Sequence, residues 1–239
     1  MTAPRKAVIV AAGRSSRLYP LTLELPKSLL QVAGATIIGR SVRLLREHGI
    51  EEVAIVAGYQ REKIQAHFNG AGLVYLHNPF FFATNNLGSL WFARDWVEDD
   101  GFLYLHADIV YHPDLLRRMM APPDGIGLLV EMGRPDEEAM KVRLESGRFI
   151  ESKKAIPPAE ASGEWVGIAR FPSSPPVLKQ LFHAAERVFE AGDCNAYDTA
   201  AFSLMAREGA DFRIIPTGGL PWIEIDDQAD LARARALFP

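Results

Sequence analysis

The chain has 239 residues, of which 48% are hydrophobic and 23% charged, and a formal net charge of −4 at neutral pH. That composition is ordinary for a soluble globular protein, and the length suits one large α/β domain over residues 1–239 rather than two. A net negative charge gives no global attraction to nucleic acid or to an anionic membrane, and no apolar run is long enough to span a bilayer. The single cysteine, Cys194, precludes an internal disulfide, has no metal-ligand spacing around it, and reads as a small buried or half-buried side chain. The apolar run near the N-terminus is too short for a signal peptide, so the cytoplasm is the expected compartment.

The first predicted element is a buried parallel strand over Ala7–Ala11, short and β-branched in the middle. It runs into Ala12-Gly13-Arg14-Ser15-Ser16-Arg17, where small residues let a ligand lie on the backbone and free amide N–H groups can hold phosphate oxygens. Arg17 and Lys27 add positive charge on either side of a turn-rich connection from Tyr19-Pro20 to Pro26. An arginine suits several phosphate oxygens at once, and a lysine acts as a compact point charge. The chemistry suggested is binding and polarising a nucleoside triphosphate. Gly13 stands alone, so the dinucleotide fingerprint is absent, and Lys27-Ser28 lacks the two glycines of a P-loop.

An amphipathic helix follows over Thr36–His48, with Gly49 at its C-cap. Next come a strand over Glu52–Ala57, a short helix over Gln60–Phe68 and a strand over Leu73–Leu76. This β-α-β-α-β rhythm predicts a doubly wound, mostly parallel sheet that binds ligands at the carboxyl ends of its strands. Phe80, Phe81 and Phe82 read as a plug with at least two rings buried. A helix begins at Asn85–Ser89, where Asn85 or Asn86 serves as cap, and where exposed amides and Ser89 face the nucleotide; cap and contact readings stand level.

The strand Gly101–Ala107 ends at Asp108, a carboxylate with nothing to gain from burial unless it is paired or bound to a cation, and it reads as a Mg²⁺ ligand. His106 beside it is read as a satisfied core residue. A strand over Ile126–Met132, a hairpin over Lys141–Leu144 and Phe149–Glu151, and a strand over Glu164–Phe171 form a small antiparallel excursion. Helices over about Pro175–Ala191 and Tyr197–Glu208 and a strand over Phe212–Ile215 complete this half. In the stretch from Trp222 to Asp227, alternation puts Glu224 and Asp226 on one face, while Asp227 caps the helix Gln228–Leu237. With Asp108 these acids make an oxygen-only set suited to Mg²⁺.

The segment AAGRSSRLYPLTLELPKSLL resembles the signature of the sugar-phosphate nucleotidyltransferase superfamily (the MobA-like NTP transferases), A-A-G-x-G-x-R followed about ten residues on by P-K. Ala11-Ala12-Gly13, Arg17 and Pro26-Lys27 are in place, and Ser15 stands where the family usually has glycine. Asn85–Leu90, the strand ending at Asp108 and Ile223–Asp226 narrow the resemblance to the cytidylyltransferase branch, which activates phosphocholine, 2-aminoethylphosphonate and related acceptors with CTP. The resemblance implies a Rossmann-like fold with a nucleotide-binding half over about 1–110 and an acceptor-binding, metal-completing half over about 111–239. It also implies Mg²⁺ on Asp108, Glu224 and Asp226, the triphosphate on Arg17 and Lys27, and base and ribose near Ala11–Gly13 and Asn85. Ser15 and Ser16 belong to the same nucleotide loop.

For the acceptor, Glu131, Asp136, Lys141 and Arg143 are candidates. Residues 131–143 are acidic and lack aromatics, which favours a primary ammonium over phosphocholine. The expected partners are CTP or another NTP and a small phosphonate or phosphate acceptor, with a homodimer allowed and no nucleic acid or membrane. The rival readings are a sugar-1-phosphate uridylyl- or thymidylyltransferase and a catalytically silent nucleotide-sensing domain.

Overall fold

The computed structural model describes residues 4–98, 100–121 and 125–239. Strand β1 (Lys6–Ala11) leads into the first loop, which carries a short helical turn α1 (Leu21–Glu24) and a small ribbon of β2 (Gln31–Val32) with β3 (Ala35–Thr36). Helix α2 (Ile37–Glu47) is capped by Thr36, whose hydroxyl accepts from Gly39 N, and Gly49 ends it with φ 82°, as the sequence predicts. Strand β4 (Glu52–Ala57), α3 (Arg61–His67), β5 (Val74–His77), α4 (Asn86–Trp91) and α5 (Arg94–Val97) follow. Then come β6 (Phe102–His106), β7 (Ile109–Tyr111), α6 (Pro113–Met120), β8 (Ile126–Met132) and the hairpin of β9 (Lys141–Glu145) with β10 (Arg148–Ser152). The chain closes with β11 (Gly163–Phe171), α7 (Pro175–Glu190), α8 (Asp198–Arg207), β12 (Phe212–Pro216), β13 (Trp222–Glu224) and α9 (Gln228–Leu237).

The sheet runs β10-β9-β11-β6-β1-β4-β5, with β8 paired to β11 and β12. Strands β6, β1, β4 and β5 are parallel, as are β8 and β12, and β11 is the antiparallel hinge between the two groups. Strand alternation divides the apolar residues between two faces. Val8, Val10, Val56, Phe102 and Tyr104 pack with Leu87, Leu90, Leu181, Phe202 and Met205 on one side. Ala7, Ile9, Val53, Ile55, Leu103 and Leu105 pack with Ile38, Val42, Ile64, Leu115 and Met119 on the other. Helices therefore cover both faces of a mostly parallel sheet, the mixed α/β architecture expected.

A third core matters most for position. Leu18, Leu30, Val32 and Ile37 of the first loop and its ribbon join Val110, Ile225, Leu231, Ala234 and Phe238. It seats the N-terminal loop on the C-terminal end of the chain.

The structure adds α1, α5, α6, the β2–β3 ribbon and β7, most of them too short to show a period in sequence. The phenylalanine plug is corrected: Phe80 and Phe82 are 55% and 69% exposed. Asn78 holds this turn by accepting from Phe80 N at 2.9 Å and donating to Thr84 Oγ1 at 3.0 Å, which directs Phe81 alone against Gly58 and Tyr59. Cys194 is exposed rather than buried. No helix among the described residues is long and apolar enough to cross a membrane.

Phe202 is fully buried, with its ring against Tyr104, Trp165, Phe171 and Phe212. Phe202→Ala is expected to cost about 3–5 kcal/mol in urea unfolding monitored by circular dichroism. A loss below about 1 kcal/mol would show that this face is not tightly packed.

Candidate active site

The carboxyl ends of β1 and β6 deliver the first loop and Asp108 to the same edge of the sheet, because the two strands are neighbours in register. Directly after Asp108 the chain enters β7, which pairs antiparallel with β13 so that Ile109 faces Glu224 and Ile225 N donates to Asp108 O at 3.0 Å. Strand β13 ends at Glu224, and Ile225 is fully buried in the third core, so Glu224 and Asp226 on either side of it turn toward Asp108. Carboxylate oxygens of Asp108, Glu224 and Asp226 lie within 4.8 Å of one another. Asp227 is the cap of α9, as expected, in a reciprocal box with Asp230.

Three acids at this spacing repel unless cations sit among them. Lys27 Nζ lies 2.8 Å from Asp108 Oδ2 and 3.2 Å from Asp226 Oδ1, and Arg17 Nη2 lies 2.8 Å from Asp226 Oδ2. For Lys27, burial works against the charge, but Asp108, Asp226 and Glu224 outweigh it and raise its pKa. For Asp108 the burial penalty is likewise outweighed, by Lys27 and then His106, and the carboxyl is held below its ordinary range. Glu224 has no lysine of its own. Loss of hydration in the cleft, then the charges of Asp108 and Asp226, push its carboxyl up to about 7, although part of its side chain is open to solvent.

The acid set can be tested against a metal ion on one atom. Among the described residues Asp108 Oδ1 is buried without a hydrogen-bond partner, and a buried carboxylate oxygen left in that state is costly. Hard oxygen donors converging on one point, with an orphaned oxygen among them, fit a divalent cation.

The acids and cations line a cavity of about 590 Å³. Gly13 and Ser15 line it, and a Cβ added at Gly13 would meet open space. Ser15 has φ 51°, ψ 49°, the left-handed backbone for which glycine is the usual residue. Ala11 ends β1, Ala12 is buried after it and Ser16 begins the exposed turn that follows, and none of the three lines the cavity. Asn85 is the cap of α4, its Oδ1 accepting from Asn86 N, and it lines the cavity. Ser89 does not reach the cavity wall: it is buried, and its Oγ accepts from Asn78 Nδ2 at 3.1 Å.

Of the acceptor candidates, Asp136 reaches the cavity, with its Oδ1 accepting from the N–H groups of Glu138 and Ala139. Glu131 is set behind the wall, accepting from the Thr217 hydroxyl and, at 3.2 Å, from the Trp222 indole. Lys141 is corrected from ligand to scaffold: it is 1% exposed and its ammonium is consumed by the carbonyls of Glu137, Ala139 and Lys154. Arg143 pairs with Glu151 at 2.9 Å across the hairpin and lies off the cavity wall.

Other residues take their place. Glu164, Trp165, Tyr197, Trp222, Lys154 and Arg233 line the cavity. Burial, then Asp136 and Glu131, raise the Glu164 carboxyl to about 7. Residues 131–143 carry no aromatic ring, but rings line the cavity from β11, the start of α8 and β13. His106 also reaches the wall. Its Nε2 lies 2.6 Å from Asp198 Oδ2, and although burial opposes the charge, Asp198 raises the imidazole to about 9. Gly167, at φ 90°, lets β11 pass this ring, since a Cβ there would sit 2.8 Å from His106 Nδ1. Nothing in local spacing marked Asp198 or Glu164, which meet the site only through the sheet.

Comparison with known proteins identifies the family. Residues 7–140 match the MobA-like NTP transferase domain. The chain is 28% identical, over 98% of its length, to the CMP-5'-(3-aminopropyl)phosphonate synthase of Streptomyces rubellomurinus, and spans 39% of that protein. It is 25% identical to the CTP:phosphoglutamine cytidylyltransferase of Campylobacter jejuni, covering 94% of this chain and 97% of the relative. The inositol-1-phosphate CTP transferase from T. maritima shares the fold, with a TM-score of 0.83 at 21% identity over 99% of this chain and 95% of that one. With the family's domain matched over more than half its length, the chain belongs to the MobA-like NTP transferases, a nucleotidyltransferase family in which its relatives include cytidylyltransferases.

Proposed function

We propose that this protein is a Mg²⁺-dependent cytidylyltransferase that moves CMP from CTP onto a small phosphonate or phosphate acceptor carrying an amino group. The observation that carries the reading is the array in the cavity wall where Lys27 and Arg17 meet Asp108, Glu224 and Asp226. The relatives named for CTP or CMP chemistry support cytidine as the base.

In this reaction an acceptor oxygen attacks the α-phosphorus of CTP in line. The new P–O bond forms as the bond from the α-phosphorus to the bridging oxygen breaks, and that electron pair leaves with pyrophosphate. The acceptor oxygen is already anionic, so no side chain has to remove a proton. Lys27 and Arg17 bind the triphosphate and neutralise charge that builds on it, exchanging part of their present carboxylate contacts for phosphate oxygens. Asp108, Glu224 and Asp226 would hold Mg²⁺, which when bound supplies further positive charge to the phosphates. Gly13 and Ser15 present backbone to the nucleotide, and Asn85 contacts it from the far side.

The acceptor reading rests on other residues that line the cavity. Asp136, Glu138 and Glu164 provide negative charge, and Trp165, Tyr197 and Trp222 provide aromatic faces. Both suit an ammonium group. A localised acid such as Glu164 favours an N–H-bearing ammonium, so a 2-aminoethylphosphonate-like acceptor comes first and phosphocholine next. Lys154 and Arg233 replace Lys141 and Arg143 as the cations for the acceptor's phosphonate or phosphate.

Pyrophosphate release measured with each NTP against aminoalkyl phosphonates, phosphocholine, phosphoethanolamine and sugar 1-phosphates should appear with CTP and an amino-bearing acceptor. Turnover with UTP or dTTP and a sugar 1-phosphate instead would overturn the reading. Lys27→Ala should lower turnover about 10²- to 10³-fold with the far-ultraviolet circular dichroism unchanged, and near-normal turnover would remove Lys27 from the chemistry. Asp108→Asn should shift the Mg²⁺ activation midpoint upward by about tenfold or more; an unshifted midpoint excludes it as a ligand.

Glu164→Gln has a signature in stability as well. The folded carboxyl titrates at about 7 against an ordinary 4.5, so the folded state binds its proton more tightly and stability falls as pH rises from 4.5 through 7. Replacing it should raise the melting temperature at pH 8, leave it unchanged at pH 4, and raise KM for the amino-bearing acceptor. Parallel melting curves at both pH values would count against a burial-strained acid here.

A further inference from the structure

We infer that Tyr59 and Gln60 are positioning residues that latch the loop between Arg17 and Lys27, an inference whose consequence for catalysis rests on the nucleotide reading above. The loop in question contains α1, a helix of four residues. A helix so short leaves its carbonyls without helical partners, and they must be satisfied from elsewhere. Here the partners come from the end of β4 and the start of α3. Tyr59 Oη reaches Thr22 O at 3.2 Å and Leu23 O at 3.0 Å, and Gln60 Nε2 donates to Leu23 O at 2.6 Å. Gln60 Nε2 also lies 2.9 Å from Tyr59 Oη, and Lys63 Nζ donates to Glu24 O.

The latch is tied to the loop at both ends. Tyr59 N donates to Ala12 O at 3.0 Å, at the point where β1 gives way to the loop. Thr22, whose carbonyl the latch holds, turns its buried hydroxyl to Ser15 O at 2.8 Å, bracing the left-handed residue of the loop. From behind, the Phe81 side chain packs on Gly58, where an added Cβ would come within 2.6 Å of it, and its ring lies 6.3 Å from that of Tyr59.

Two features separate a latch from ordinary packing. Leu21 and Leu23 are 43% and 51% exposed, so apolar burial does little to hold α1 in place; Thr22 is its buried residue. Gln60 meanwhile keeps a left-handed backbone, φ 49°, ψ 38°, and a buried Oε1 without a hydrogen-bond partner among the described residues. Both features are costly for a non-glycine residue, and such costs persist where the surroundings impose them. What they secure here is the placement of a polar amide against Leu23 O. The connection from Arg17 to Lys27 is thus held by side-chain hydrogen bonds to backbone carbonyls, which fix the separation of the two cations that converge on Asp226.

The test uses Tyr59→Phe, which removes a hydroxyl, and Gln60→Gly, which removes the amide while suiting the left-handed backbone. Amide hydrogen exchange reads the latch without ligand: residues 16–27 should exchange faster in both variants, with β1 and β4 unchanged. Isothermal titration with CTP and Mg²⁺ reads the consequence, and each variant should bind about three- to tenfold more weakly. KM for the acceptor should stay constant, and the melting temperature of Gln60→Gly should equal or exceed that of the parent. Unchanged exchange in both variants overturns the latch. Faster exchange with unchanged CTP affinity overturns its part in positioning the cations, and a parent protein that binds no NTP overturns the nucleotide reading and that consequence with it.

Discussion

The site depends on one backbone pairing, the short antiparallel ribbon of β7 with β13. It joins residues more than a hundred positions apart and sets Asp108 beside Glu224 and Asp226. A ribbon of this length has little stability of its own. It is held because Val110 and Ile225 enter the third core together with Leu18 and Leu30 of the first loop. The same apolar contacts that seat the loop therefore bring the acids together, and the electrostatics follow. Lys27 is the charge that makes the cluster tolerable, since it contacts two of the three carboxylates from a nearly buried position. A buried charge group of this kind stands on mutual pairing, and removing one member leaves the others uncompensated.

The cavity wall carries side chains of both charges. Arg17 and Lys27 pair with the acid cluster, and Asp136, Glu138 and Glu164 line the same cavity together with Trp165, Tyr197 and Trp222. For the proposed reaction the triphosphate would meet Arg17 and Lys27, and an ammonium group would meet Asp136, Glu138 and Glu164. Glu164 is held in an environment that disfavours its own charge, so a cationic ligand gains more there than from an exposed carboxylate.

Other charged groups near the site are structural, and they show how burial assigns roles. Lys141 heads a strand and looks available in sequence, yet three backbone carbonyls claim its ammonium. His106 reads as a satisfied core residue and is one, paired to Asp198, but it also forms part of the cavity wall. In both cases residue type was informative about charge and uninformative about direction.

The sequence by itself determined the order of the main strands and helices, the first loop and the identities of the charged residues there. Periodicity and turn chemistry are local, so the strands at Ala7–Ala11 and Glu52–Ala57, the helix capped by Thr36 and Gly49, and the cap at Asp227 were legible. Asp108, Glu224 and Asp226 could be named singly because a carboxylate at a strand end is costly without a partner. Only the tertiary structure decided that these acids meet, that Ser89 and Lys141 face away, that two of three phenylalanines are exposed, and that Glu164, Trp165 and Tyr197 complete the cavity. The reason is physical. Which side chain reaches a shared cavity is set by the register of β11 on β8 and of β13 on β7, and such long-range pairing leaves no trace in the spacing of neighbouring residues.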